Sequence, residues 1–158
     1  MAEKEKHPAP MTTVAEILKF AIQREDEAAR AYGDVAQKTT NAALQSLLLD
    51  LQADEVSHRK LLRELAVSDD LPQLGSTVPD LRISDYLLDE PIGPDSRMQD
   101  ILIFAAKKEA KAAELYERLL AQAENAKHKR LFQYLAQQEK RHKLKLEQTY
   151  EQEVLQEN

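Results

Sequence analysis

Apolar residues recur at intervals of three and four through most of this chain, the spacing of a helix that buries one side. The first such stretch carries Val14, Ile17, Leu18, Ala21, Ala28, Tyr32 and Val35 and predicts a helix opened by Thr13, with Glu16 reaching back in a capping box. Asn41 is placed to cap a second helix that runs to about Val67, with Leu44, Leu47, Leu48, Leu51, Leu62 and Leu65 inward. The loop between the two is short, so they pair antiparallel. From Ser68 to Ser96 the pattern breaks at Pro72, Gly75, Pro79, Pro91, Gly93 and Pro94, which predicts a crossover with a short helical turn around Ser84 to Asp89. Ser96 with Gln99 predicts the cap of a third helix reaching about Ala123, and Asn125 opens a fourth whose apolar face carries Leu131, Leu135 and Leu146. The expected fold is an all-α antiparallel four-helix bundle: a disordered arm over 1–12, a hairpin over 13–67, a crossover over 68–96 and a hairpin over 97–155.

Ionisable residues interrupt these apolar faces. Glu139 and His142 share the face marked by Leu135 and Leu146. They lie three residues apart, about 60° around the helix and one turn along, so both can reach one ion. A lone Glu-x-x-His is weak evidence, but a shift of 84 residues lays Glu55-Val-Ser-His58 on Glu139-Lys-Arg-His142 and lays Leu47, Leu51 and Leu62 on Leu131, Leu135 and Leu146. The same shift overlays residues 17–32 on residues 101–116, matching Ile, Leu, Phe, Ala, Glu, Ala-Ala and Tyr and setting Glu25 on Glu109. The chain is therefore one helical hairpin written twice, each copy holding a Glu helix and a Glu-x-x-His helix. His7 and His128 have no repeat partner and are expected at the surface.

Composition narrows the chemistry. With 158 residues, 42% of them apolar, and only three glycines, the chain suits a single helical domain. A net charge of −6 with interspersed Lys, Arg and Glu argues against a nucleic-acid surface. The absence of cysteine excludes disulfides, thiolate zinc sites, iron–sulfur clusters and a cysteine nucleophile. No apolar run approaches the roughly 20 residues of a membrane span, and the first ten residues hold no signal-peptide core, so a cytoplasmic location is expected.

Glu25, Glu55, Glu109 and Glu139 are expected at mid-length of the four apolar stripes, with His58 and His142 beside them. Burying four bare carboxylates together is costly through desolvation and repulsion. Two divalent cations would neutralise them by count, and the stripes offer no Lys or Arg for the task. Glutamate and histidine donors suit iron, manganese or zinc better than calcium or magnesium.

This constellation is the one found in ferritin-like di-metal carboxylate bundles. Within them the chain resembles the rubrerythrin family, through the blocks Phe-Ala-x-x-x-Glu-x-x-Ala-Ala-x-x-Tyr at Phe20 to Tyr32 and Phe104 to Tyr116. By that resemblance Glu55 and Glu139 would bridge two iron ions, Glu25 and Glu109 would each bind one terminally, His58 and His142 would complete the two ions, and Tyr32 and Tyr116 would hydrogen-bond carboxylates across the site. Rubrerythrins proper carry a cysteine-rich rubredoxin domain and often a further glutamate after the third-helix ligand. Here there is no cysteine, and that position is Ala112, repeated as Ala28. A more symmetric site is expected, closer to a bacterioferritin or to the rubredoxin-free erythrins.

The resemblance implies an oxidoreductase that reduces hydrogen peroxide or dioxygen in oxidative-stress defence, drawing on an external electron donor that the sequence does not name. Two other classes compete with it: a ferroxidase or iron-storage protein, and an interaction module with structural metals. A homodimer is expected, with the long crossover allowing hairpins to exchange between protomers.

Overall fold

The computed structural model describes residues 14–68 and 97–154. Within them are four helices and no strand: α1 (Val14–Lys38), α2 (Ala42–Ala66), α3 (Met98–Gln122) and α4 (Ala126–Glu153). The Thr13 cap, the side chain of Val14, Ser96 and the Ser84–Asp89 turn lie outside the described residues. Where a cap can be compared, the asparagines behave as expected. Asn41 Oδ1 accepts from the Leu44 backbone N–H at 2.9 Å, and Asn125 Oδ1 accepts from that of Lys127 at 2.8 Å. At α3 the residue flanking the first turn is Arg97, whose side chain makes no capping hydrogen bond.

Two apolar clusters show how the helices run. One joins Ile17, Leu18 and Ala21 of α1 to Leu62 and Leu65 of α2, Leu115 and Leu119 of α3 and Phe132 and Leu135 of α4. The other joins Val35 and Ala36 to Leu44 and Leu48, Ile101 and Leu102, and Leu146. The start of α1 thus meets the end of α3, and the start of α2 meets the start of α3. Helices α1 and α2 are antiparallel, as are α3 and α4, whereas α2 and α3 run parallel. Ser68 and Arg97 consequently sit at opposite ends of a bundle whose helices are about 38 Å long at 1.5 Å per residue.

Between these two apolar ends lies the middle of every helix. Each hairpin is also tied on its outside, by Arg59 to Asp26 in the first and Lys140 to Glu117 in the second. Half-exposed ion pairs of this kind add little stability and mainly set register. Gly33 has a packing role: a Cβ there would strike the amide of Gln52, which donates to the Ala29 carbonyl at 3.1 Å and ties α2 onto α1.

The inward lists were largely met. Ile17, Leu18, Ala21, Ala28, Tyr32, Val35, Leu44, Leu48, Leu51, Leu62, Leu65, Leu135 and Leu146 are buried, while Leu47 and Leu131, a repeat pair, are only partly covered. His128 corrects the expectation of a surface residue: it is 1% exposed. It falls on the stripe His128, Phe132, Leu135, Glu139, His142, Leu146, with spacings of four and three throughout, and the 84-residue shift places it on buried Leu44. The face of α4 is centred on Phe132 rather than on Leu131.

Replacing Asn41 by alanine orphans a backbone donor at the start of α2 and is expected to cost about 1 kcal/mol. Urea denaturation of the two proteins, with unchanged m-value, measures it.

Candidate metal centre

Glu25, Glu55, Glu109 and Glu139 reach the bundle interior, one from each helix, because each occupies a stripe position where a leucine would otherwise sit. All four are buried, as are His58 and His142. The two histidines follow their glutamates by three residues on α2 and α4, and their rings stack 5.7 Å apart at 15°. All six residues singled out from the sequence are therefore brought together, within one chain.

They form two clusters that share two members. Donor atoms of Glu25, Glu55, His58 and Glu139 lie within 4.8 Å of one another, and so do those of Glu55, Glu109, Glu139 and His142. In the first, His58 Nδ1 is 3.6 Å from Glu25 Oε2, 3.9 Å from Glu55 Oε2 and 2.9 Å from Glu139 Oε1. In the second, His142 Nδ1 is 3.3 Å from Glu55 Oε1, 3.4 Å from Glu109 Oε2 and 3.9 Å from Glu139 Oε2. Glu55 and Glu139 each turn one oxygen to either cluster, the geometry a carboxylate needs to hold two ions at once. Glu25 and Glu109 face one cluster each.

The outer atoms are held by neighbours. Tyr32 donates to Glu109 Oε1 at 2.6 Å, and Tyr116 donates to Glu25 Oε1. Each tyrosine thus crosses from one hairpin to the carboxylate of the other. Burial, followed by the adjacent carboxylate, pushes both phenols well above their usual range, so both stay protonated donors. His142 Nε2 is 2.8 Å from Asp54 Oδ2. The inner atoms are not held: Glu25 Oε2, both oxygens of Glu55 and of Glu139, Glu109 Oε2, His58 Nδ1 and His142 Nδ1 are buried and make no hydrogen bond. Buried polar groups seldom go unsatisfied, and carboxylate and imidazole donors facing a common point in two sets fit a pair of metal ions.

Electrostatics agrees. Burial, then the carboxylates of Glu109 and Glu25, drive the Glu139 carboxyl well above its ordinary value. Burial acts on Glu109 in the same sense, but the facing Glu139 carboxyl and His142 imidazole outweigh it and hold Glu109 at about 2. The two facing carboxyls are thus pushed in opposite directions. His142 is raised, burial being overcome by Glu109 and Asp54.

Arg24 overturns the expectation that no cation lines these faces. It is 7% exposed, its Nη2 donates to the Lys108 carbonyl at 3.3 Å, and Nη1 makes no hydrogen bond. Its burial is opposed by Glu25 first and then Glu139, which keep the guanidinium charged. Four carboxylates, one guanidinium and two divalent ions sum to +1, not to zero. The signal was present in the sequence, since position 24 lies three after Ala21 and four before Ala28 on the buried stripe. Asp54 was also missed. It lies one residue before Glu55, and nothing in one helix's pattern says that it meets a histidine of another.

A four-helix bundle with carboxylate and imidazole donors at its middle defines the ferritin-like class, and the comparisons agree. A Thermotoga maritima protein described as ferritin-like and diiron-carboxylate superposes with a TM-score of 0.73 at 22% identity, covering 90% of this chain and 97% of that one. A hypothetical protein from Pyrococcus furiosus superposes with a TM-score of 0.66 at 29% identity over 87% of each chain. The Rubrerythrin family profile matches residues 90–158, a span that contains α3 and α4. Among curated proteins none matches this sequence. The chain thus has the fold of a ferritin-like four-helix bundle, and its second hairpin is similar to the Rubrerythrin family.

Glu139 and His142 both have folded-state affinities for protons above their ordinary ones. The stability they contribute to the metal-free protein is complete below their unfolded values and is lost as pH rises through the folded ones. The Glu109 contribution has the opposite sense but changes only between about 4.5 and about 2. The Tm of the metal-free protein is therefore expected to fall as pH rises above about 4.5, the ordinary value of a glutamate, and the rise on adding manganese(II) to grow in the same direction. Thermal melts with and without the ion at a series of pH values check it; a pH-independent rise contradicts it.

Proposed function

We propose that this chain is a di-iron carboxylate oxidoreductase that reduces hydrogen peroxide or dioxygen. The observation that carries the reading is the sharing of Glu55 and Glu139 between two buried donor clusters whose inner atoms are unsatisfied. Glu25 and His58 would hold one ion, Glu109 and His142 the other, and Glu55 and Glu139 both. A bound pair of ferrous ions supplies two electrons, the number that cleavage of an O–O bond requires. Manganese or zinc also suits the donor set, but zinc has no redox chemistry.

The protein's own part is positional. Tyr32 and Tyr116 keep Glu109 and Glu25 turned inward by holding their outer oxygens. The apolar clusters at either end exclude bulk water, which preserves the strength of every charge–dipole contact inside. Arg24 adds one buried positive charge beside Glu25 and Glu139. Because six donors come from one chain, the activity requires no exchange of hairpins, and in a homodimer each protomer would carry a complete site.

Anaerobic loading with two equivalents of ferrous iron, followed by stopped-flow mixing with peroxide or dioxygen, tests the proposal. Rapid oxidation with no iron retained beyond two per chain is expected. A Glu55→Ala, Glu139→Ala double variant is expected to oxidise at least about a hundredfold more slowly. Retention of iron beyond two per chain would instead mark a storage protein, and an inert loaded centre would mark structural metals.

A further inference from the structure

The 84-residue repeat that builds the centre is broken beside it, and two of the breaks alter which charges face the centre. Asp54 becomes Gln138 under the shift. Arg24 becomes Lys108, which differs in direction: Arg24 is turned in and buried, whereas Lys108 is half-buried with its Nζ over the Phe104 ring, 5.5 Å from the centroid.

We infer that the two ion positions are unequal, and that the Glu109/His142 position takes the first divalent cation and holds it more tightly than the Glu25/His58 position. This rests on the di-metal reading above.

One contact carries it, and a buried charge on the other side supports it. Asp54 Oδ2, 2.8 Å from His142 Nε2, accepts that N–H, which leaves the lone pair on Nδ1, the atom facing Glu55 and Glu109. A carboxylate behind an imidazole fixes its ring and tautomer and makes it a better donor to a metal. Among the described residues no carboxylate supports His58 in this way. Among the described residues its outer face meets the edge of the Tyr134 ring, 6.3 Å between centroids, and Gln138 does not bond to it. Asp54 is partly exposed, so its charge is screened, but its orienting hydrogen bond is not.

Arg24 acts on the other position. It adjoins Glu25 in sequence, and of the four carboxylates its attraction is strongest to Glu25, weaker to Glu139 and weaker again to Glu109. A fixed positive charge in a water-poor interior repels a dication most at the nearer position. One break therefore strengthens the Glu109/His142 position and the other weakens the Glu25/His58 position, so both favour the same order of filling.

Calorimetric titration of the metal-free full-length chain with manganese(II), combined with anomalous scattering from crystals supplied with one equivalent, tests this. Two steps are expected, the first at least about tenfold tighter, with the single ion beside His142. Asp54→Ala is expected to weaken the first step by about 10- to 100-fold, while Asp54→Asn, which keeps an acceptor, restores part of it. Arg24→Gln is expected to tighten the second step by about tenfold and leave the first nearly unchanged. Thermal melts of the metal-free variants monitor folding, and if the buried Arg24 variant does not fold, the partly exposed Asp54 pair decides the matter. Equal steps, or a first ion beside His58, overturn this inference and leave the di-metal reading standing; no bound ion at all overturns both.

Discussion

Mutual repulsion among four carboxylates buried in the middle of a helical bundle is the constraint that everything else in this molecule answers. Removing an ion from water costs several kcal/mol even after relaxation, and like charges brought together cost more. The protein meets part of that cost unaided. The Glu139 carboxyl is pushed up by burial, Glu109 is pulled down by the facing Glu139 and His142, and Arg24 brings one positive charge. What is left over is a set of inward oxygens and nitrogens with nothing to bond to. These unsatisfied inward donors have the chemistry of a metal site.

The fold makes such a centre possible by placing it between two apolar ends. Helices of 25 to 28 residues leave at least about three turns on each side of the glutamates, carrying leucine, isoleucine, alanine and phenylalanine. Those ends supply the burial that holds the hairpins together, so the middle is free to be unfavourable. Tyr32 and Tyr116 add a cross-link between hairpins at the level of the site itself, each hydroxyl reaching the opposite hairpin's terminal glutamate. Their rings belong to the apolar ends and their oxygens to the centre, so one residue type joins the two layers.

Duplication explains the near symmetry, and the departures from it are chemically directed. A bundle made of two identical hairpins would present two equivalent halves. Here Asp54 against Gln138 and Arg24 against Lys108 separate them, by a carboxylate behind one histidine and a guanidinium beside the other glutamate. The centre is thus less symmetric than the ligand pattern alone suggests. Its six inward residues repeat faithfully, while the residues one position away in sequence do not.

By itself the sequence determined the helical class, the two hairpins, the asparagine caps and the six inward Glu and His residues. All of these are written in local period or in self-similarity, and a repeat shows which interruptions of an apolar stripe are deliberate. It also held the burial of His128 and Arg24, whose spacing puts them on the stripe, although the types of those residues argue for the surface. Only the tertiary structure decided that Glu55 and Glu139 turn an oxygen to each cluster, that each tyrosine reaches the other hairpin, and that Asp54 meets His142. The reason is physical. Periodicity fixes which side of a helix a residue occupies, but contacts between helices depend on their relative height and rotation, which only the packing of all four together sets.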